Sequence, residues 1–486
     1  MNKFLQKIHA PAWVVLVLAF VVIFRIPSLF EPYSYGDEMI YMTLGTGVRQ
    51  GLTLYKDIHD NKPPLLYYLA GFSGSLVSFK AILLFWSLVT VYAFWKLTLM
   101  MFPKKEKLQK AATTFFAIIT TLPLLEGNIV NAENFLIGFI ILGFFIALRY
   151  KKNWALIVAG ILFSLAALFK IPAAFDLPAL ILYFFITEKN KKDIIRKTLI
   201  ISVAFLVPII FFFVWYYTKG ALFDYIKAAY LENVGYLSSF RPGDIQKPFL
   251  VRNAPLLGRG AIVLIGTIIL FIKRKKLSLP FILGTVWLLT SLFAATLSER
   301  PYPHYLLQVA APASILVAIL IGYENIEQSF AIIPLFLALL VPVYYKYYHY
   351  NTISYYNRFL SFATGRITKQ QYFSEFDGNV IRNYMVSDFL SKTTMPGTKV
   401  FVWGDSPPIY ALSRRLPPLK YVAPYHINDF TTHGDVISAL NKNKPAYIVV
   451  LPNSDNFPEL YSFLARNYFN VLQLDGANIW RLNTKL

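Results

Sequence analysis

The chain has 486 residues, of which 56% are hydrophobic, 17% are aromatic and only 15% are charged. Together with a mean hydropathy of +0.50, this composition excludes an ordinary soluble domain and is typical of a protein that crosses the membrane many times and carries a polar appendage. The net charge of +21 falls in short clusters between apolar stretches, which indicates membrane topology rather than nucleic-acid binding. Because there is no cysteine, disulfides and thiolate chemistry are excluded as well.

The first apolar run extends over residues 11–30. It is long for a signal-peptide core and lacks a small-residue cleavage site, so we expect an uncleaved first span with a cytoplasmic N-terminus. A polar loop follows at about 31–80, where residues 38–48 are predicted to form a short helix with Asp37 as its N-cap and Gly51 as its stop. Residues 65–79 are apolar, but a crossing there would put every later basic cluster outside. We therefore expect this stretch to lie at the outer interface, with the second span at 81–102.

Basic clusters between the later spans predict their orientation. They occur at 104–107, 149–152, 189–197 and 273–276, and each should face the cytoplasm. The spans between and after them are predicted at 111–130, 135–148, 154–169, 171–187, 198–218, 256–272, 277–298, 304–322 and 328–345. The total of about eleven helices leaves the C-terminus outside. The turn near Glu324 and Glu327 fits this scheme least well, because it is acidic where a cytoplasmic loop should be basic.

The residues after about 350 form a second, more polar region with short alternating elements. Strands are predicted at 399–403, at 447–451 and around Asp475-Gly476 within 472–482; helices are predicted at 379–392, 434–443 and 457–468. The sequence thus predicts a transmembrane domain over 1–350, whose first outer loop covers 31–80, and a small extracytoplasmic α/β domain over 351–486.

The charged residues that map to the outer half of the predicted spans are the candidates for chemistry. Asp37 and Glu38 are adjacent carboxylates on the first outer loop, and Lys62 follows on the same loop. Further along, Glu133 opens one span, Lys170 precedes Ile171-Pro172 in a tight hairpin, and Arg300 and His304 flank the start of another span. Each residue alone could be an interfacial side chain. Taken together they predict a polar site that faces outward.

The pattern of the first loop resembles the GT-C glycosyltransferases, in the branch of the protein O-mannosyltransferases and the lipid A aminoarabinose transferases. The residues that carry the resemblance are Asp37-Glu38, Tyr41, Gly51, Leu54-Tyr55 and Asn61-Lys62-Pro63-Pro64, supported by Glu133, Lys170-Ile171-Pro172, Arg300 to Tyr305 and Val402 to Asp405. The resemblance implies a polyprenyl-phosphate-linked sugar donor and a carboxylate pair at the catalytic centre. The chain departs from the aminoarabinose transferases at Asn61, where they have an acidic residue. This departure argues against lipid A as the acceptor and leaves a divalent metal ion open.

Sugar transfer to a hydroxyl needs a base and a cation. We predict that Asp37 removes the acceptor proton and that Glu38 orients the acceptor or tunes its neighbour. The leaving group is already a phosphate, so a cation must hold its charge; Lys62 is the first candidate, with Lys170, Arg300 and His304 behind it. Tyr41, Tyr55, His59, Asp60 and Glu133 are further site candidates. A single displacement inverts the anomeric centre.

Two other functions remain open at this stage. A lipid or polysaccharide transporter or flippase also places charges in outer cavities, but no long internal repeat is visible in the sequence. A membrane anchor for a binding module would not need eleven spans. The expected partners are the lipid-linked donor, membrane lipids and a lipid, glycan or protein acceptor. The tail has neither cysteines nor glycosylation sequons, which favours a bacterial cell membrane as the location.

Overall fold

The computed structural model describes residues 10–235 and 246–483, and it divides into two compact units. The helical unit comprises Met1–Ser28, Lys80–Trp215 and Leu231–Tyr355. The mixed unit comprises Leu29–Phe79, Tyr216–Tyr230 and Tyr356–Leu486. The first polar loop and the tail therefore belong to one unit, although most of the chain separates them in sequence.

Apolar helices dominate the described part of the chain. Those long and apolar enough to cross a membrane are Ala12–Phe30, Leu76–Met101, Ala132–Arg149, Lys191–Thr218, Phe249–Lys273, Pro303–Gly322 and Ile326–Tyr344. Shorter apolar helices are Asn153–Phe169, Ile171–Thr187 and Leu279–Ala295. Together with Glu106–Thr121, they account for each of the predicted spans and confirm the multi-span helical fold.

The exposed apolar surface of these helices indicates that lipid, not water, surrounds them. In the most apolar window of Lys191–Thr218 only 11% of residues are buried, although its mean hydropathy is 2.6; the same window of Ala132–Arg149 is 67% buried. A long helix that is apolar all round and still exposed would be unfavourable in water and is stable in lipid, where its backbone groups are satisfied internally. The chain is therefore an integral membrane protein, with Ala132–Arg149 in the interior of the helical unit.

Several of the predicted span boundaries are wrong. The helices predicted to begin at residues 198 and 256 begin at Lys191 and Phe249. The second span begins at Leu76 rather than at residue 81, after a left-handed turn at Gly74. The third begins at Glu106 and ends at Thr121, not at residue 130. It ends there because Leu122 precedes a proline and adopts an extended backbone, with ψ of 152°, before the 3-10 turn Pro123–Leu125.

Close helix packing in the helical unit depends on Gly160. A Cβ at this position would lie 2.4 Å from the carbonyl oxygen of Ile201, so only glycine lets Asn153–Phe169 approach Lys191–Thr218 this closely. Small residues have this role at contacts between membrane helices, where van der Waals packing replaces the hydrophobic effect.

The mixed unit contains a four-stranded sheet in the order β1-β2-β4-β3. The strands are β1 Val400–Trp403, β2 Tyr447–Val450, β3 Tyr468–Leu474 and β4 Ala477–Leu482. β1 and β2 are parallel, whereas β4 runs antiparallel to both of its neighbours. Asp475 and Gly476 join β3 to β4 with φ of 45° and 78°, the left-handed conformation that a tight hairpin turn requires. The predicted α/β fold of this region is confirmed.

Short helices complete the mixed unit. Along the chain they are Gly36–Arg49, Leu65–Ser73, Leu222–Ile226, Lys369–Ser374, Val380–Thr393, Pro408–Ser413, Pro424–Phe430, His433–Lys442 and Pro458–Asn467, and Thr352–Ala363 leads into the unit. Aromatic and aliphatic side chains of the strands pack on His433–Lys442 and Pro458–Asn467 to form the core, which includes Trp403, Ile448, Leu440 and Leu464.

The first loop contributes two helices that pack directly on each other. Gly36–Arg49 and Leu65–Ser73 cross at Gly45, where a Cβ would lie 2.5 Å from the backbone nitrogen of Gly71. The prediction that Asp37 is the N-cap is wrong: the N-cap is Tyr35, and Asp37 and Glu38 lie in the first turn. There the partial positive charge of the helix N-terminus stabilises both carboxylates.

Candidate active site

Lys62 lies between two carboxylates of the mixed unit. Its Nζ is 3.6 Å from Asp37 Oδ2, 3.9 Å from Asp60 Oδ2 and 5.0 Å from the centre of the Tyr41 ring. The Tyr41 hydroxyl donates a hydrogen bond of 2.8 Å to Asp37 Oδ2, one helical turn away. The side chains of Lys62 and Asp37 are 22% and 32% exposed, so a ligand can reach both. The structure thus brings together four of the predicted site residues.

Two buried tyrosines hold the backbone of Lys62. The Tyr55 hydroxyl donates to the carbonyl oxygen of Lys62 at 2.8 Å, and the Lys62 N–H donates to the Tyr67 hydroxyl at 3.2 Å. Tyr55 adopts φ of 74°, which is rare for a bulky residue, and its ring packs against Tyr216 with centres 5.3 Å apart. Such a conformation persists only where the surroundings enforce it. Lys62 is therefore presented from a rigid stretch of loop.

Asp60 keeps its charge although it is only 2% exposed. Burial alone would raise the pKa of its carboxyl, but Lys62, His426 and hydrogen bonds from Tyr67 and the Asn61 N–H together hold that pKa below its usual range. Burial, and then the charge of Asp60, raise the pKa of the Tyr67 hydroxyl well above its usual range. At neutral pH the carboxylate therefore remains an acceptor and the tyrosine remains a donor, at 2.7 Å.

The two carboxylates of the predicted catalytic pair differ in accessibility. Asp37 is partly exposed, whereas Glu38 is 1% exposed within the first turn of Gly36–Arg49. A general base must reach the proton that it removes, so this difference favours Asp37 over Glu38 for that role.

The cluster around Lys62 does not fit a divalent metal ion. The ammonium group already occupies the space between Asp37 and Asp60 that such an ion would take. Across residues 10–235 and 246–483, no group of three or more His, Asp or Glu side chains is arranged to hold a metal.

His59 lies in an aromatic cluster rather than beside Lys62. It is 2% exposed, and its ring packs edge-on against Tyr421 and Phe430 with centres 5.1 and 5.2 Å away. Its backbone N–H donates to the carbonyl oxygen of Lys420 at 2.9 Å. Within the mixed unit, His59 thus joins the first loop to the segment around Pro424–Phe430.

A second cluster of charges lies in the helical unit. Lys170 Nζ contacts Glu133 Oε1 and lies 3.5 Å from the centre of the Tyr305 ring. His304 uses Nδ1 to contact Glu126 Oε2, while its Nε2 is 4.0 Å from Glu133 Oε1. The side chains of Glu126 and Glu133 are 0% and 4% exposed. Two buried carboxylates thus alternate with the two basic side chains.

This pairing bears on the predicted phosphate-binding residues. Lys170 and His304 each already have a buried carboxylate partner, and removing one member of such a pair leaves an uncompensated charge. A phosphate would have to compete with Glu133 and Glu126 for them, whereas Lys62 is more exposed and its carboxylates are farther away. Arg300 is exposed in the loop that precedes Pro303–Leu306.

Three residues of these clusters were not singled out from the sequence. Tyr67 lies in the apolar stretch 65–79 that the sequence predicts at the outer interface, and Glu126 belongs to no motif in the sequence. His426 lies 3.5 Å from Asp60 Oδ1 through its Nε2, but it belongs to the tail, and nothing in the local sequence links it to the first loop. Only the folded arrangement identifies it.

Two family models match the chain. The model of glycosyltransferase family 87 matches residues 63–321, more than half of the chain. The model of the putative competence-induced protein Ccs4 C-terminal domain matches residues 382–480, which include the whole sheet except its last two residues. None of the curated protein sequences matches the chain significantly.

Several solved structures are similar to the chain. ArnT from Cupriavidus metallidurans bound to undecaprenyl phosphate is 13% identical, with a TM-score of 0.54 over 97% of this chain and 98% of that one. Its apo state gives the same identity and TM-score over 96% and 97% of the two chains. The oligosaccharyltransferase AglB from Archaeoglobus fulgidus, 12% identical, gives a TM-score of 0.47 over 97% of this chain and 74% of that one.

At 13% identity the similarity to ArnT establishes the fold, and it does so over nearly the full length of both chains. The family match extends from the residue after Lys62 to the helix Leu307–Gly322 and establishes the kind of enzyme. The chain is a GT-C type membrane glycosyltransferase and belongs to glycosyltransferase family 87.

Proposed function

We propose that this enzyme moves a monosaccharide from a polyprenyl-phosphate donor to a hydroxyl group of an acceptor and inverts the anomeric centre. The observation that carries the proposal is the position of Lys62, a partly exposed cation held on a rigid loop beside the accessible carboxylate of Asp37. Undecaprenyl phosphate is bound by ArnT, which has the same fold, and a lipid-linked phosphate is the natural ligand for such a cation in a membrane enzyme.

In this mechanism each residue of the cluster has one task. The Asp37 carboxylate accepts the proton of the acceptor hydroxyl as its oxygen attacks the anomeric carbon. The bond from that carbon to the phosphate oxygen breaks, and the Lys62 ammonium stabilises the charge that the phosphate gains. Tyr41 holds Asp37 in place, while Asp60 and Tyr67 hold Lys62. The leaving phosphate needs no proton, so no general acid is required.

Analysis of a deletion strain by mass spectrometry tests this function. Loss of the enzyme should remove one glycan mass from the cell envelope and cause its polyprenyl-phosphate sugar to accumulate. Complementation with the parent chain should reverse both changes. An unchanged glycan profile with unchanged levels of lipid-linked sugar would contradict the proposal.

We also propose that the N-terminus is cytoplasmic and that residues 351–486 form a domain outside a bacterial cell membrane, in line with a transmembrane domain over 1–350. The support is the agreement among four basic clusters, each of which favours the cytoplasmic side. The catalytic loop 31–80 would then work on the outer face.

Reporter fusions check this orientation. Fusions after Lys107 and after Lys276 should report a cytoplasmic position, and a fusion at Leu486 should report an external one. The fusion at Leu486 is decisive for the last helix. If the ten preceding helices cross the membrane, the two ends lie on opposite sides only when Ile326–Tyr344 crosses as well. A cytoplasmic signal there would place the tail inside and refute the proposed sidedness.

A further inference from the structure

His426 touches the carboxylate that holds Lys62. It lies on the helix Pro424–Phe430, and its Nε2 is 3.5 Å from Asp60 Oδ1. Both side chains are 3% exposed, so water does not separate or screen them effectively. This contact comes from the region matched by the Ccs4 C-terminal domain model, outside residues 63–321.

Apart from Asp60, the surroundings of the His426 ring are largely aromatic. The ring packs against Tyr425 and Phe430, with centres 4.4 and 5.9 Å away, and stands perpendicular to His59. Its Nδ1 is buried and has no hydrogen-bond partner among the described residues. A buried, unsatisfied nitrogen is destabilising. The polar contribution of this side chain is therefore its contact with Asp60.

The two carboxylate oxygens of Asp60 have different partners. Oδ1 accepts from the Asn61 N–H at 2.7 Å and faces His426. Oδ2 accepts from the Tyr67 hydroxyl at 2.7 Å and faces Lys62. His426 thus restrains the carboxylate on the side opposite Lys62, and that restraint fixes where Oδ2 points.

We propose that His426 is a positioning residue, which orients Asp60 so that Lys62 is presented to the donor phosphate. This inference rests on the proposed function. It makes the C-terminal region a working part of the donor site rather than a separate binding module.

The test measures binding of undecaprenyl phosphate to the purified full-length chain in nanodiscs. His426→Phe fills the ring's space and removes the contact with Asp60, so the Kd should rise about tenfold, the scale of one lost polar contact to a buried charge. His426→Gln keeps a donor and should restore most of the affinity. The melting temperature of the Phe variant should stay close to that of the parent, because the lost contact with the buried Asp60 carboxylate is offset by the removal of the unsatisfied nitrogen.

Two controls separate the possible outcomes. His433→Phe changes another histidine of this region, which stacks on Phe457 with ring centres 4.0 Å apart, and should leave the Kd unchanged. His426→Met also removes the contact with Asp60, and its flexible side chain fits more easily into the same space. It replaces the Phe variant in the binding test if that variant misfolds. Parental affinity in a folded Phe or Met variant would overturn the inference alone. A parent chain that does not bind undecaprenyl phosphate would overturn the proposed donor class, and this inference with it.

Discussion

Replacing Asp37 with asparagine is expected to lower sugar transfer by about 10²-fold or more, the scale of losing a general base. The substitution keeps the shape of the side chain and its ability to accept the hydrogen bond from Tyr41, which is 2.8 Å long in the parent. The substitution removes only the ability of this side chain to accept a proton. The loss should therefore appear in kcat, measured with purified enzyme and lipid-linked donor.

Donor binding distinguishes the chemical role of Asp37 from a role in holding Lys62. Because Asp37 lies 3.6 Å from the Lys62 ammonium, the neutral variant should bind undecaprenyl phosphate at least as tightly as the parent. Asp57→Asn is the matched control: Asp57 is on the same loop, is exposed, and accepts a hydrogen bond from the Thr53 N–H that asparagine can also accept. Near-normal turnover of Asp37→Asn would assign the base to Glu38 or Glu133 instead.

Replacing Lys62 with methionine is expected to weaken use of the donor by about 2 kcal/mol or more, the scale of a lost charge-assisted hydrogen bond. Methionine retains an unbranched side chain but cannot stabilise the charge that develops on the leaving phosphate. Lys62→Arg should recover only part of the activity, because a planar guanidinium cannot replace a compact ammonium between Asp37 and Asp60. The quantity to measure is kcat/KM for the donor.

Lys56 provides the control for this experiment. It lies on the same loop, is exposed, and donates to the carbonyl oxygen of Gly220 at 3.3 Å. Lys56→Met should transfer sugar at the parent rate. If Lys62→Met did the same while expressing normally, the phosphate would have to be held elsewhere, and Lys170 or Arg300 would be the next residue to replace.

The helices and strands were largely predictable because their signals are local. Apolar length marks the spans, and basic residues flank them at every predicted cytoplasmic turn except the one near Glu324. Likewise, Asp475-Gly476 between two apolar runs marks the hairpin of β3 and β4. The error at the third span also has a local cause. The helix Glu106–Thr121 ends before Pro123 rather than at residue 130.

The composition of the site was only partly predictable. Four site residues lie near one another in sequence and can be recognised as parts of one motif: Asp37, Tyr41, Asp60 and Lys62. Tyr67 and His426 act through contacts that tertiary folding creates, and a list of charged residues cannot reveal them. The pairing of Lys170 with Glu133 and of His304 with Glu126 was equally invisible, since partners for a buried charge come from other helices.

The joining of the first loop to the tail has a consequence for biosynthesis. The His59 N–H donates a hydrogen bond to the Lys420 carbonyl oxygen within the mixed unit. The first part of that unit, Leu29–Phe79, is synthesised long before the part that begins at Tyr356. Contacts this distant in sequence form late, because the intervening chain must be ordered first. The proposed donor site would then reach its final geometry only after the membrane helices between its halves have been inserted. A ribosome-bound intermediate would display the loop carboxylates without the histidine that orients one of them, so sugar transfer would begin only once insertion is complete.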